Sequence, residues 1–198
     1  MVSVSDAAAR FGMSPLPVRE ALRVLVADGR VDYSAHRGYR VRAYTFAEVE
    51  EIFLMCSLLE AEALRRGIAC MDADDVARMR GLLDRFDHLV RHEAVWDAVE
   101  VHRDFHFVPI ECAKLPRLEV ELRRLWDHTD HYRGLYFFPD GSMSPVMDQD
   151  HQDLLEACAA GDAERAVTLM DQHREHALRR LKPILATELD GSERKAGR

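Results

Sequence analysis

The sequence predicts a mostly α-helical protein in which a small N-terminal winged helix-turn-helix precedes an antiparallel all-α bundle. Residues 1–44 carry two short helix-like stretches, a glycine turn between them, and then two short extended runs. From Thr45 onward apolar residues recur with a helical period, and no strand-like alternation is visible. The 198 residues, 47% of them hydrophobic, are enough to bury a core and suit one large domain or two small ones.

In the first part, residues 4–12 (VSDAAARFG) read as a helix ending at Gly12, a residue that readily takes the left-handed conformation needed there. A second helix opens at Met13–Pro17 and runs to about Asp28. Ser14 is its expected cap, prolines occupy the tolerated first turn, and Val18, Leu22 and Leu25 form its apolar stripe. Gly29 stops it. Extended runs around Val31–Ser34 and Tyr39–Arg42 flank His36-Arg37-Gly38 and read as a hairpin. Helix, turn, helix and hairpin is the order of a winged helix-turn-helix.

At Thr45 the sequence T-F-A-E is a capping box, in which the Thr45 hydroxyl and Glu48 carboxylate each satisfy a free amide of a new helix. The domain boundary is therefore expected at 43–45. Helices are expected over about 46–70, 73–91, 94–113, 117–136, 147–160 and 163–187. Their breaks fall at Met71-Asp72, His92, Lys114-Leu115-Pro116, Pro139-Asp140-Gly141 and Gly161-Asp162, with Asp162 capping the last helix. Six helices joined by short loops imply an antiparallel bundle over 45–190. The tail Gly191–Arg198 reads as disordered.

The net charge of −8 is unevenly spread. Residues 1–44 hold seven arginines against four acids, whereas the remainder holds 20 basic against 31 acidic residues. A basic head on an acidic body fits a DNA-reading module joined to a domain that makes no DNA contact. No stretch approaches the length of a membrane helix and the amino end lacks a signal-peptide pattern, so a cytoplasmic protein is expected. Cys56, Cys70, Cys112 and Cys158 form no C-x-x-C pair, which argues against a thiolate metal site or a secreted disulfide framework.

Four histidines carry the candidate chemistry. His102 and His106 stand four apart in VHRDFHF, so on a helix they share a face with their rings close enough to bind one ion, while Asp104 points away. His151 and His173 lie on two later helices and can join them only if those helices pack beside the first. A chain with ten histidines also places two at this spacing by chance.

The run Ser14-Pro15-Leu16-Pro17-Val18-Arg19-Glu20-Ala21-Leu22-Arg23-Val24-Leu25, with Gly29 and Arg37-Gly38-Tyr39-Arg40-Val41, resembles the DNA-binding domain of GntR-family regulators. That family's pattern is S-x-x-P-V-R-E-A-L-x-x-L, then G, then R-G-x-x-V. The resemblance implies that the helix from Pro17 enters the major groove. Arg19 and Arg23 would face phosphates or guanine edges, and the wing at Arg37-Gly38 would touch the minor groove or backbone. Many members carry arginine where this chain has Pro15. A winged helix also normally has a helix before the first one seen here, whereas only three residues precede Val4, so the expected domain lacks its first core helix.

The body resembles the effector domain of the FadR subfamily. Its ligand pattern is D-x-x-F-H, then a histidine near the start of the penultimate helix, then one in the last helix. His102-Arg103-Asp104-Phe105-His106 matches with histidine at the aspartate position, and the segments around His151 and His173 match closely. The resemblance implies one divalent transition metal (zinc, nickel, manganese or iron) held by His102, His106, His151 and His173, with open positions for an organic carboxylate effector. Replacing the carboxylate by His102 leaves the ion its full charge, which favours an anionic effector. Many relatives carry arginine four residues before the glutamate corresponding to Glu60. Here that residue is Cys56, and Arg133, Arg124 or His131 are the candidate effector-binding replacements.

These readings point to a transcriptional regulator, a repressor, acting as a homodimer on a palindromic DNA operator under control of a small carboxylate. The alternatives are a helical metal-dependent enzyme, for which no H-E-x-x-H or similar acid–base motif is present, and a metal-binding protein no longer competent for DNA.

Overall fold

A computed structural model of the chain describes residues 1–137 and 145–196, with side chains over 1–130, 132–134 and 149–186. It divides into two compact units, Met1–Tyr44 and Thr45–Arg198.

In the first unit, α1 spans Val4–Phe11. Ser3 caps it by accepting from the Asp6 amide, and Gly12 ends it at φ 63°, the left-handed conformation that glycine adopts without strain. Helix α2 spans Pro15–Ala27. Ser14 occupies its N-cap with extended backbone, but contrary to expectation its hydroxyl makes no capping hydrogen bond. The third helical position is Pro17, which has no amide to offer, so one of the two donors a cap normally serves is missing. Strands β1 (Val31–Ser34) and β2 (Gly38–Val41) pair antiparallel with Val31 opposite Val41. Gly38 takes φ 73° where the hairpin turns back. Ala8, Val18 and Leu22 form the core, with Val2, Val4, Ala7, Leu25 and Tyr39 packed against it. The Tyr44 hydroxyl donates to the Gly29 carbonyl at 3.0 Å.

Among the described residues the second unit is a bundle of six helices: α3 (Phe46–Ile68), α4 (Ala73–Arg91), α5 (Val95–Cys112), α6 (Pro116–Phe137), α7 (Pro145–Ala159) and α8 (Ala163–Ala196). Capping chemistry sets several starts. Thr45 and Glu48 form the capping box of α3, Asp72 and Asp75 form another on α4, and the Asp162 carboxylate accepts from the Arg165 amide at the start of α8. Helix α8 continues through Pro183 to Ala196, beyond the end expected near 187. The break expected at Pro139-Asp140-Gly141 and the side chains of the tail Gly191–Arg198 lie outside the described residues.

Helix α5 is the central element, packed on α3, α4 and α6, while α8 packs on α3, α7 and α6. Its residues Val101, Phe105, Phe107, Val108 and Ile110 are fully buried, so α5 has apolar neighbours on most of its circumference. Close approach of α3 to α5 depends on Gly67, where an added methyl carbon would lie 1.7 Å from the Pro109 carbonyl oxygen. Cys56, Cys112 and Cys158 are buried and Cys70 is exposed.

Candidate metal centre

One helical turn of α5 places His102 and His106 on the same face, and the packing of α7 and α8 adds His151 and His173. All four are buried, between 1% and 7% exposed. One ligating atom from each lies within 4.8 Å of the other three. His102 Nε2 and His106 Nε2 are 3.1 Å apart. Two imidazole nitrogens each about 2.1 Å from a common ion stand about 3.0 Å apart at a right angle, so this spacing fits adjacent ligands of one ion. His106 Nδ1 is buried without a hydrogen-bond partner among the described residues. The donor set therefore fits a divalent transition ion that accepts nitrogen ligands.

The surroundings keep the two α5 rings neutral. Burial, followed by the neighbouring imidazoles, holds His102 and His106 well below the ordinary histidine range, so their lone pairs stay available at neutral pH. Phe86 lies against His102 and His151, and Phe105 against His106 and His151, which gives the cluster an apolar wall. Behind His173, Asp150 Oδ2 lies 3.4 Å from His173 Nδ1 and 2.7 Å from His176 Nδ1. Burial opposes ionisation of Asp150, but the hydrogen bonds from these two rings outweigh it and hold its carboxyl below the usual range. Asp104, expected to point away, is not one of the clustered groups.

A cavity of about 20 Å³ opens beside His102 and His173. Its apolar walls include Phe53, Trp126, Met170 and Ala177, and its charged lining is Glu60, Arg133 and Arg174. Glu60 is 1% exposed; its Oε1 accepts from the Trp126 indole at 2.7 Å and its Oε2 pairs with Arg174. The Arg133 guanidinium stacks 3.9 Å from the Trp126 ring centre and donates to Asp130 at 2.8 Å. Cys56 also lines this space. Burial raises its thiol far above the ordinary value, with Glu60 adding to the effect, so it stays a neutral thiol and not a thiolate ligand.

The structure therefore brings one of the three candidate effector-binding residues to the cavity, Arg133. Arg124 is on an exposed face, paired with Glu121 at 3.1 Å, because it stands on the opposite side of α6 from the cavity. The side chain of His131 lies outside the described residues. Sequence reasoning overlooked Trp126 and Arg174. The available signal was an acid, Glu60, on the apolar stripe of α3 with Cys56, Ala63, Leu64 and Gly67, since a buried carboxylate requires a cation and a donor. In the N-terminal unit, Ser14, Arg19, Arg23 and Arg37 are exposed and Gly38 is half-buried.

A family model for the FCD domain matches residues 51–176. The chain is 31% identical over 174 residues to the HTH-type transcriptional repressor GlaR of Escherichia coli, covering 83% of this chain and 78% of that protein. It is 28% identical over 184 residues to the HTH-type transcriptional regulator BphR of Paraburkholderia xenovorans, covering 89% and 74% respectively. Its fold is similar to that of E. coli McbR/YncC, with a TM-score of 0.80 at 21% identity over 95% of this chain and 87% of that one. A GntR-family regulator from Pseudomonas syringae gives a TM-score of 0.64 over 96% and 79%. The winged helix-turn-helix, the matched domain and these relatives together show that the chain belongs to the GntR family of transcriptional regulators, with an FCD domain as its helical body.

Proposed function

We propose that the protein is a repressor that binds a palindromic operator as a homodimer and whose operator affinity is set by a small organic acid at a metal centre. Residues 1–44 read DNA, through Arg19 and Arg23 on α2, Ser14 at its start and Arg37-Gly38 in the wing. Residues 45–190 hold the metal and the effector. GlaR, named as a repressor, supports the direction of regulation. Among the described residues no helix is long and apolar enough to cross a membrane.

The observation that carries the reading is the convergence of four buried imidazoles beside a cavity lined by two guanidinium groups. His102, His106, His151 and His173 would hold zinc, nickel, manganese or iron. When bound, such an ion supplies a Lewis-acidic centre with positions open to a carboxylate. The apolar wall excludes water, Asp150 orients His173, and Arg133 supplies positive charge on the side of the cavity facing Trp126.

A thermal-shift screen of metabolic carboxylates on metal-loaded and metal-stripped protein tests this. Stabilisation is expected only in the loaded form, because a ligand stabilises the state that binds it. Equal shifts in both forms would place the effector away from the histidines and overturn the reading.

A further inference from the structure

Arg174, the residue after His173 on α8, divides its guanidinium between two carboxylates. One nitrogen pairs with Glu60 of α3 inside the cavity and the other with Asp171, whose side chain is 50% exposed and whose Oδ1 accepts from the Ser57 hydroxyl at 2.7 Å. The cavity of about 20 Å³ has room for about one water. A carboxylate is larger, so an acid can reach His102 and His173 only if a lining side chain yields. It would also stand beside the Glu60 carboxylate in a poorly solvated space, where like charges repel strongly. Trp126 is held between Glu60 and the Arg133 guanidinium. Arg174 has a second anionic partner at the surface, Asp171, so it can turn from Glu60 without losing all of its compensation.

We propose that Arg174 is the specificity-determining contact for the acid, exchanging Glu60 for the ligand's carboxylate, so that binding opens the buried ion pair between α3 and α8. This rests on the reading of the cavity as an effector site and adds how occupancy is converted into a change in the fold. Helix α3 is the output element. Its cap, Thr45, is the first residue of the helical unit and follows directly on Tyr44, the last residue of the DNA-reading unit. Glu60 also holds the indole of Trp126, so the same exchange alters that ring's hydrogen bonding.

The test uses zinc-loaded full-length protein carrying Trp96→Phe, which removes an exposed indole and leaves Trp126 as the reporter. Acetate and succinate are the probes, read by titration calorimetry and by Trp126 emission. Glu60→Gln should bind at least one of these acids tenfold or more tighter than the parent, since the competing carboxylate is gone. Arg174→Gln should bind it tenfold or more weaker with zinc content unchanged, and the Trp126 emission change on binding should disappear in Glu60→Gln. Because breaking a buried pair from one side can prevent folding, a Glu60→Met, Arg174→Met double variant is the companion. It should fold, keep zinc and lose acid binding. Metal-dependent binding in the parent that is unchanged in Glu60→Gln or Arg174→Gln, or retained in the double variant, overturns the exchange alone. If neither acid binds the zinc-loaded parent, both the exchange and the effector reading for these acids fail.

Discussion

The Asp150 carboxylate approaches His173, with its Oδ2 3.4 Å from the ring's Nδ1, so Nε2 is the ring nitrogen that Asp150 does not engage. A carboxylate in this position keeps the proton on Nδ1 and the lone pair on Nε2. Asp150→Asn should therefore weaken metal binding by about 10–100-fold. Competition with a chelator of known affinity measures it. Unchanged affinity would mean that packing alone orients His173.

The four-imidazole cluster predicts one divalent transition ion per subunit in protein made without a histidine tag, with a lower melting temperature in chelator. His106→Ala should lower the metal content. His88→Ala should leave it unchanged, since His88 is exposed on α4 and outside the cluster. Elemental analysis of the two variants decides the matter, and equal metal content in both would remove His106 from the site.

Gly67→Ala places a methyl group against backbone, 1.7 Å from the Pro109 carbonyl oxygen and 3.2 Å from the Ala113 nitrogen, neither of which can rotate away. Helices α3 and α5 must separate, at a cost of about 1–3 kcal/mol or more. Gly81→Ala on α4 meets nothing within 4 Å and should be neutral or stabilising by up to about 1 kcal/mol. Urea unfolding of both variants measures the contrast. Equal midpoints would show that the α3–α5 crossing is looser than this packing implies.

Arg19→Ala should weaken binding to an operator fragment and reduce the slope of log affinity against log salt by about one, the signature of one lost phosphate contact. Arg19 is exposed on α2, so metal content and melting temperature should not move. A variant that bound as tightly as the parent would take Arg19 out of the recognition surface.

Local chemistry was legible in the sequence wherever a structural decision depends on residues a few positions apart. Gly12 ends α1, Thr45 with Glu48 starts α3, Asp162 starts α8, and the four-residue spacing of His102 and His106 puts them on one face, because caps and helical periodicity are nearest-neighbour effects. Ser14 shows the limit even there, since the missing amide of Pro17 removes a partner its hydroxyl was expected to find. The arrangement of the site was decided by packing. Arg124 and Arg133 stand on the same helix and carry the same charge, yet Arg124 faces solvent and Arg133 lines the cavity, depending on which side of α6 meets its neighbours. Glu60 and Arg174 are separated by most of the bundle in sequence and meet only because α3 lies along α8. His151 and His173 join the α5 pair for the same reason: side chains from separate helices converge where burying apolar faces fixes how those helices cross, and no local pattern encodes that crossing.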